Sequence, residues 1–279
     1  MTATPVPRRL YIYDDLSEEL RTYGDDSRVQ RRGRALLGLL RQDPRVVLLT
    51  LEGQIDALIA RAAPAPFAVA IGVGRAGARV AAEIHARTAW FPTIERVDVW
   101  REEDDAGGYA LAGPAPLASQ LGAVADADSV AVVDDTIFSG LTMRAVLGAL
   151  PPRPARRVHA FCLRGVAESV EAVARLAPVT AGVLAPGRIL EDVSFINASG
   201  LVHRGAIRRA RRPPLAFFER PEWMAAWFPG YAGRAIALCR EIHEAVEVPP
   251  GGRAPRSRRG SPAPSVPPGP RRPGSSARR

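Results

Sequence analysis

Asp134 and Asp135 are adjacent, and the residues after them bring hydroxyls and a glycine in quick succession: Thr136, Ser139, Gly140 and Thr142. Paired carboxylates suit the hydroxyls of a sugar, a magnesium ion, or both. A Ser/Thr/Gly loop that opens a helix offers backbone N–H groups and the positive end of a helix dipole to a phosphate. Together these residue types ask for a sugar phosphate.

The elements that must position these groups are legible on either side. Val130, Ala131, Val132 and Val133 form a short apolar run, the pattern of a strand buried on both faces, as in a parallel sheet. Met143 to Leu150 reads as a helix. Strand, polar loop and helix in this order put the loop at the strand's carboxyl end, where open α/β sheets bind ligands. A second unit of the same kind precedes it. Phe67-Ala-Val-Ala-Ile71 leads into Gly72-Val-Gly-Arg-Ala-Gly77, and Ala78 to Arg87 is helix-like. The glycines permit close backbone approach, and Arg75 offers a fork of donors to phosphate oxygens. Taken alone, Gly-x-Gly-x-x-Gly also suits a dinucleotide, with Glu95 or Asp98 as the acid near the next strand end.

The segment 130–142 resembles the PRPP-binding motif of type I phosphoribosyltransferases: an apolar strand, two acids, a short variable stretch, then Ser-Gly-x-Thr. The resemblance implies an α/β fold, a mainly parallel twisted sheet flanked by helices, with a variable hood over its edge. It implies transfer of a 5-phosphoribosyl group from PRPP to an acceptor, with release of pyrophosphate. Asp134 and Asp135 are then the catalytic carboxylates, meeting the ribose hydroxyls directly or through Mg2+. Thr136, Phe138, Ser139, Gly140, Leu141 and Thr142 cradle the 5-phosphate. Val73, Gly74, Arg75 and Ala76 form the pyrophosphate loop, often with a non-proline cis peptide, and Arg101 (with Arg96) reaches pyrophosphate from beside a mobile loop at residues 100–114. Phe138 departs from members that handle 6-oxopurines, which carry an acid there, so a hypoxanthine–guanine type of acceptor is disfavoured. The acceptor is a nucleobase or a specialised small molecule. A regulatory PRPP- or nucleotide-binding protein on the same fold is the alternative, and a phosphorylase- or hydrolase-like variant is a third reading.

The rest of the chain divides around this core. Residues 1–66 form an N-terminal region, part of the hood, with a strand at Leu10 to Tyr13, a helix from Val29 to Leu40, and a short apolar run and a helix between Arg45 and Ala63. Residues 67–184 are the α/β core, with strands expected at 67–73, 94–99, 129–134, 157–163 and 179–184. Helices are expected there at 75–87, 117–124, 141–150 and 166–176. Residues 185–246 supply the remaining hood, with short strands at Ile189 to Asn197 and Gly200 to His203, an arginine-rich stretch at 204–212, and a helix from about Gly233 to Val246. Phe217, Phe218, Trp223, Trp227, Phe228 and Tyr231 are expected mainly to pack that helix onto the core. His85, His159, His203 and His243 show no ligand spacing and are expected to be structural or surface residues rather than catalytic, His203, beside Arg204, being the least improbable exception.

Charge adds little about function. Residues 250–279 hold eight arginines and no acids, which accounts for all but one unit of the net +9 of the 279-residue chain. That Arg/Pro-rich tail, 247–279, cannot bury a core and is expected to be disordered, with at most weak electrostatic contact to nucleic acid. All 38 basic residues are arginine, which excludes Schiff-base chemistry on a lysine. No apolar run reaches the roughly 18 residues of a membrane span. Cys162 and Cys239 form no metal-spacing motif, and a cytoplasmic protein acting on small molecules, with a homodimer as one assembly open to it, is the expectation.

Overall fold

A computed structural model describes residues 6–24, 27–62, 66–105 and 107–247. The expected disordered tail lies outside these, apart from Glu247. The strands are β1 (Arg9–Tyr13), β2 (Val46–Leu49), β3 (Val69–Val73), β4 (Ile94–Val97), β5 (Trp100–Glu103), β6 (Tyr109–Ala112), β7 (Ser129–Ile137), β8 (Arg157–Val166), β9 (Val179–Ala185), β10 (Val193–Asn197), β11 (Ile207–Arg209) and β12 (Arg212–Leu215). The α-helices are α1 (Leu16–Leu20), α2 (Arg28–Arg41), α3 (Leu51–Arg61), α4 (Gly74–Thr88), α5 (Leu117–Gln120), α6 (Leu141–Ala149), α7 (Ala167–Ala174), α8 (Ala198–Val202), α9 (Pro221–Trp227) and α10 (Ala232–Glu247).

The strands sort into three sheets. The largest is five-stranded and wholly parallel, in the order β4-β3-β7-β8-β9. Its inner strands are apolar on both faces because helices cover both sides. Val69, Ile71, Val130 and Val132 face one core with Met143, Val146 and Val173, while Ala70, Ala131, Val133 and Phe161 face another with Ile55, Leu58, Val80 and Ile84. The chain order reverses between β3 and β7, which makes their carboxyl ends the ligand-binding crevice of such a sheet.

The second sheet is also parallel, β10-β1-β2, and draws its strands from both ends of the chain. Leu10 and Ile12 of β1 share a core with Leu36 and Leu40 of α2 and with Leu238 and Ile242 of α10. The spacing of the buried residues on α2 (Val29, Gly33, Leu36, Leu37, Leu40) is that of one helical face. Phe218, Trp227 and Phe228 are buried in the same core, so most of the C-terminal aromatics pack as the sequence suggests. The helix α3, within residues 1–66, contributes Ile55 and Leu58 to the core of the five-stranded sheet instead.

Three local expectations are corrected. Residues 100–114 are not an open loop: β5 and β6 form an antiparallel hairpin, part of a sheet ordered β12-β11-β5-β6. Polar side chains hid a strand whose edge is paired rather than buried; β11 runs parallel beside β5, and Ala210 N–H donates to the Glu103 carbonyl at 3.0 Å. Gly200 to His203 is not a strand, since α8 ends there and His203 N–H donates to the Ser199 carbonyl at 2.9 Å. The third is the peptide geometry of the Val73–Ala76 segment, since no described peptide bond is cis.

Candidate functional site

Strand β7 runs on to Ile137, beyond the expected end at residue 134. Its two edges end differently. Toward β3 the ladder stops at Gly72 beside Val133; toward β8 it continues through Asp134 beside Cys162 and Thr136 beside Arg164 to Ile137 beside Gly165. The carboxylates therefore stand on a strand braced along one edge and open along the other.

After β7 the chain turns through Phe138, Ser139 and Gly140 into α6. Gly140 takes a left-handed conformation, φ 70°, which a side chain rarely adopts, and a Cβ there would come within 3.0 Å of Val173. The turn brings the first N–H groups of α6 to the loop, where Leu141 N–H donates to Ser139 Oγ at 3.4 Å. A cavity of about 480 Å3 opens here, lined by Asp134 and Asp135 and by every residue from Thr136 to Met143. Arg101 on the hairpin lines it too, as do Asn197, Ser199, Gly200, His203, Arg204, Gly205, Ala206 and Phe217. All the residues assigned above to ribose and 5-phosphate thus share one cavity, with Arg101.

The expected pyrophosphate loop is placed differently. Val73–Ala76 do not line the cavity, and α4 begins at Gly74, directly after β3. Gly74 has φ 60°, so the backbone makes its turn at this glycine. Gly77 permits close packing of α4 on β7, since a Cβ there would lie 2.3 Å from the Val133 carbonyl oxygen. Arg96 pairs with Asp98 at 2.9 Å and is not among the lining residues.

The two carboxylates differ in environment. Asp134 is buried, and one of its oxygens accepts the Asp135 N–H at 2.8 Å. Burial, and then the neighbouring Asp135 charge, push its carboxyl well above the ordinary range. Asp135 is half-buried. Its Oδ2 accepts from Thr136 Oγ1 at 3.0 Å and from Arg164 Nη2 at 2.8 Å. Arg164 reads in the sequence only as a polar interruption of the run His159-Ala-Phe-Cys-Leu-Arg-Gly-Val166, with no signal of a role. It is 1 % exposed, one of the largest fully buried side chains. Its guanidinium also donates to Asn197 Oδ1 at 2.8 Å and to Gln54 Oε1 at 3.2 Å, and stacks 4.8 Å above the Tyr13 ring. The ends of β7, β8, β1 and β10 are joined through this one side chain.

Among the described residues no group of three or more His, Cys, Asp and Glu is arranged to hold a metal ion. Two oxygen-donor carboxylates on a cavity nevertheless fit magnesium, which commonly takes one or two carboxylates and completes its shell with substrate oxygens and water. No described helix is long and apolar enough to cross a membrane.

No protein-family model matches the sequence. No curated protein matches it either. Solved structures similar to parts of the chain include a hypothetical protein from Neisseria gonorrhoeae with bound ppGpp, at 16 % identity and a TM-score of 0.38, covering 52 % of this chain and 82 % of that one. The purine phosphoribosyltransferase of Pyrococcus horikoshii is 19 % identical with a TM-score of 0.33, over 53 % and 89 % of the two chains. The xanthine-guanine-hypoxanthine phosphoribosyltransferase of Helicobacter pylori is 14 % identical with a TM-score of 0.33, over 67 % and 91 %.

Proposed function

We propose that this chain transfers the 5-phosphoribosyl group of PRPP to a small-molecule acceptor and releases pyrophosphate. The observation that carries the reading is that Asp134, Asp135 and the whole loop Thr136–Thr142 line one cavity at the crevice end of a parallel sheet. The first turn of α6, with Ser139, Gly140, Leu141 and Thr142, holds the 5-phosphate through backbone N–H groups and hydroxyls. Asp134 and Asp135 take the ribose 2- and 3-hydroxyls. They would also hold Mg2+, which when bound neutralises and orients the pyrophosphate oxygens. Arg101, on β5, supplies positive charge to the same leaving group. Arg75 and the N–H groups at the start of α4 serve pyrophosphate only if PRPP extends past Asp134 toward β3.

Bond breaking at the ribose C1 leaves positive charge on the sugar ring and negative charge on pyrophosphate. The protein's work is to position the two and to keep water out. Asn197, His203 and Phe217, from the segment after β9, form the remaining wall, where an acceptor would meet C1. We place the activity in the cytoplasm, on small molecules.

Isothermal titration of PRPP with and without magnesium, on wild type and on Asp134→Asn/Asp135→Asn, tests the reading. Magnesium-dependent binding lost in the double variant supports it. No binding to folded wild type sinks it. Binding without pyrophosphate release, with any acceptor tried, would leave the regulatory PRPP-binding role in its place.

A further inference from the structure

We infer that His203 removes the proton of the acceptor and that Glu19 holds it in position to do so; the inference rests on the transfer reading above. Two short helices, α1 and α8, carry two cross-links, each formed by residues four apart on their own segment. Asp15 accepts both the N–H of Ser199, at 2.8 Å, and its hydroxyl. One turn further along both segments, Glu19 Oε1 lies 3.1 Å from His203 Nε2, an ion-pair distance without the alignment of a hydrogen bond. Ser199 and His203 both line the cavity that holds Asp134 and Asp135. The N-terminal segment thus backs each of these two cavity residues with a carboxylate.

An N–H or O–H acceptor must lose its proton as its bond to C1 forms, so the cavity needs a proton acceptor. Arg101 and Arg204 are cations and cannot serve, and Arg204 is further committed to Glu219 at 2.8 Å. Phe138 has nothing to accept a proton. Asp135 Oδ2 is engaged by Thr136 and Arg164, and both aspartates are assigned to ribose and metal. His203 remains. A carboxylate this near one ring nitrogen favours the tautomer that carries its proton there, by charge rather than by an aligned hydrogen bond. With Nε2 beside Glu19, Nδ1 is the nitrogen left to take a proton. In the step, the bond from C1 to pyrophosphate oxygen breaks and its electron pair leaves on pyrophosphate. The acceptor lone pair forms the new bond to C1, and the acceptor proton passes to His203 Nδ1 and on to solvent. His203 is the catalytic residue and Glu19 the positioning residue.

The test follows pyrophosphate release from magnesium–PRPP with water, and separately with hydroxylamine, as the acceptor. Wild type, His203→Ala, His203→Gln, Glu19→Ala and Glu19→Asp are compared, and PRPP binding is titrated in each. The expected result is PRPP affinity near wild type in all five proteins and release slowed about a hundredfold in both His203 variants. Added imidazole should restore part of the rate to His203→Ala, and Glu19→Asp should retain more activity than Glu19→Ala. Release at the wild-type rate in His203→Ala, or a loss that imidazole does not touch, overturns the assignment while leaving the transfer reading intact. Wild type that binds PRPP but releases pyrophosphate to neither acceptor also overturns it. Wild type that fails to bind PRPP removes the transfer reading itself.

Discussion

Arg164 Nη2 and Asp135 Oδ2 are 2.8 Å apart, with the arginine 1 % exposed and the aspartate on the cavity wall. A guanidinium this deep needs its charge met and its donors filled. Asp135 meets the charge, and Asn197 and Gln54 take further N–H groups, leaving Nε–H without a partner among the described residues. Arg164→Met is expected to destabilise the protein by about 3–5 kcal/mol, the usual cost of stranding one partner of a buried pair. Arg164→Lys should recover only part, because an ammonium cannot span Asp135, Asn197 and Gln54 as the fork does. Chemical denaturation measures both; a cost under about 1 kcal/mol for Arg164→Met, the range of surface pairs, would show that the network is dispensable.

Asp134 should make the metal-free protein dependent on pH in a defined direction. Its folded-state pKa is raised, by burial first and by Asp135 second. The folded chain therefore holds this proton more tightly than the unfolded chain. That contribution is fully present below the ordinary carboxylate pKa of about 4 and is lost as pH rises through the raised value. Asp134→Asn removes the loss. It is expected to raise the metal-free Tm at neutral pH by a few degrees, about 3 °C per kcal/mol regained, while abolishing magnesium-dependent PRPP binding. Thermal scans across pH would refute this if the variant were less stable than wild type at pH 7.

Gly77 should tolerate no side chain. A Cβ would sit 2.3 Å from the Val133 carbonyl oxygen and 3.2 Å from Asp134 Cα, both backbone atoms. The helix-propensity gain of Gly→Ala is about 1 kcal/mol. Overpacking costs about 1–3 kcal/mol and here displaces the strand end that carries Asp134. Gly77→Ala is expected to lose both stability and PRPP affinity, whereas Gly148→Ala, with open space around its Cβ position, should not lose affinity. Equal behaviour of the two variants would count against the argument.

The hairpin β5–β6 should open more readily than the core. Asp105 pairs with Arg211 at 3.1 Å and Arg212 at 2.9 Å, and Glu103 pairs with Arg220, fastening the hairpin to the segment after β10. The Asp105 pairs are exposed and worth less than about 1 kcal/mol. Asp105→Ala is therefore expected to speed amide exchange across residues 100–112 without shifting the global unfolding midpoint. Unchanged exchange would mean that strand pairing and the Glu103–Arg220 pair hold the hairpin without Asp105.

Much of the five-stranded sheet was legible from sequence because its inner strands are built on apolar runs such as Val69–Val73 and Val130–Val133. The turn from β7 into α6 was legible because Ser139, Gly140 and Thr142 have few other uses in that order. What escaped depends on contacts distant in sequence. Arg164 looks like an interruption in an apolar strand, and only Asp135, Asn197 and Gln54 give it a role. The helix α8 carries no helical signature of its own; Asp15 and the Ser199 N–H settle its start. The strand β5 has alternating burial too weak to distinguish from a polar loop until β11 pairs with it. The expected loop at Val73–Ala76 is replaced by a helix start because Gly74 can take a positive φ within trans geometry.

Strand β1 lies between β2 and β10, and β10 arrives more than half a chain later. During synthesis β1 can pair with β2 early, but its other edge stays open until residues 193–197 have left the ribosome. Helix α2 can cover the β1–β2 pair early, but α10 and both cross-links between α1 and α8 come only after β10. Long-range pairings of this kind form late and slowly. A nascent chain can therefore carry the complete Thr136–Thr142 loop while still lacking the cavity wall formed by Ser199, His203 and Phe217.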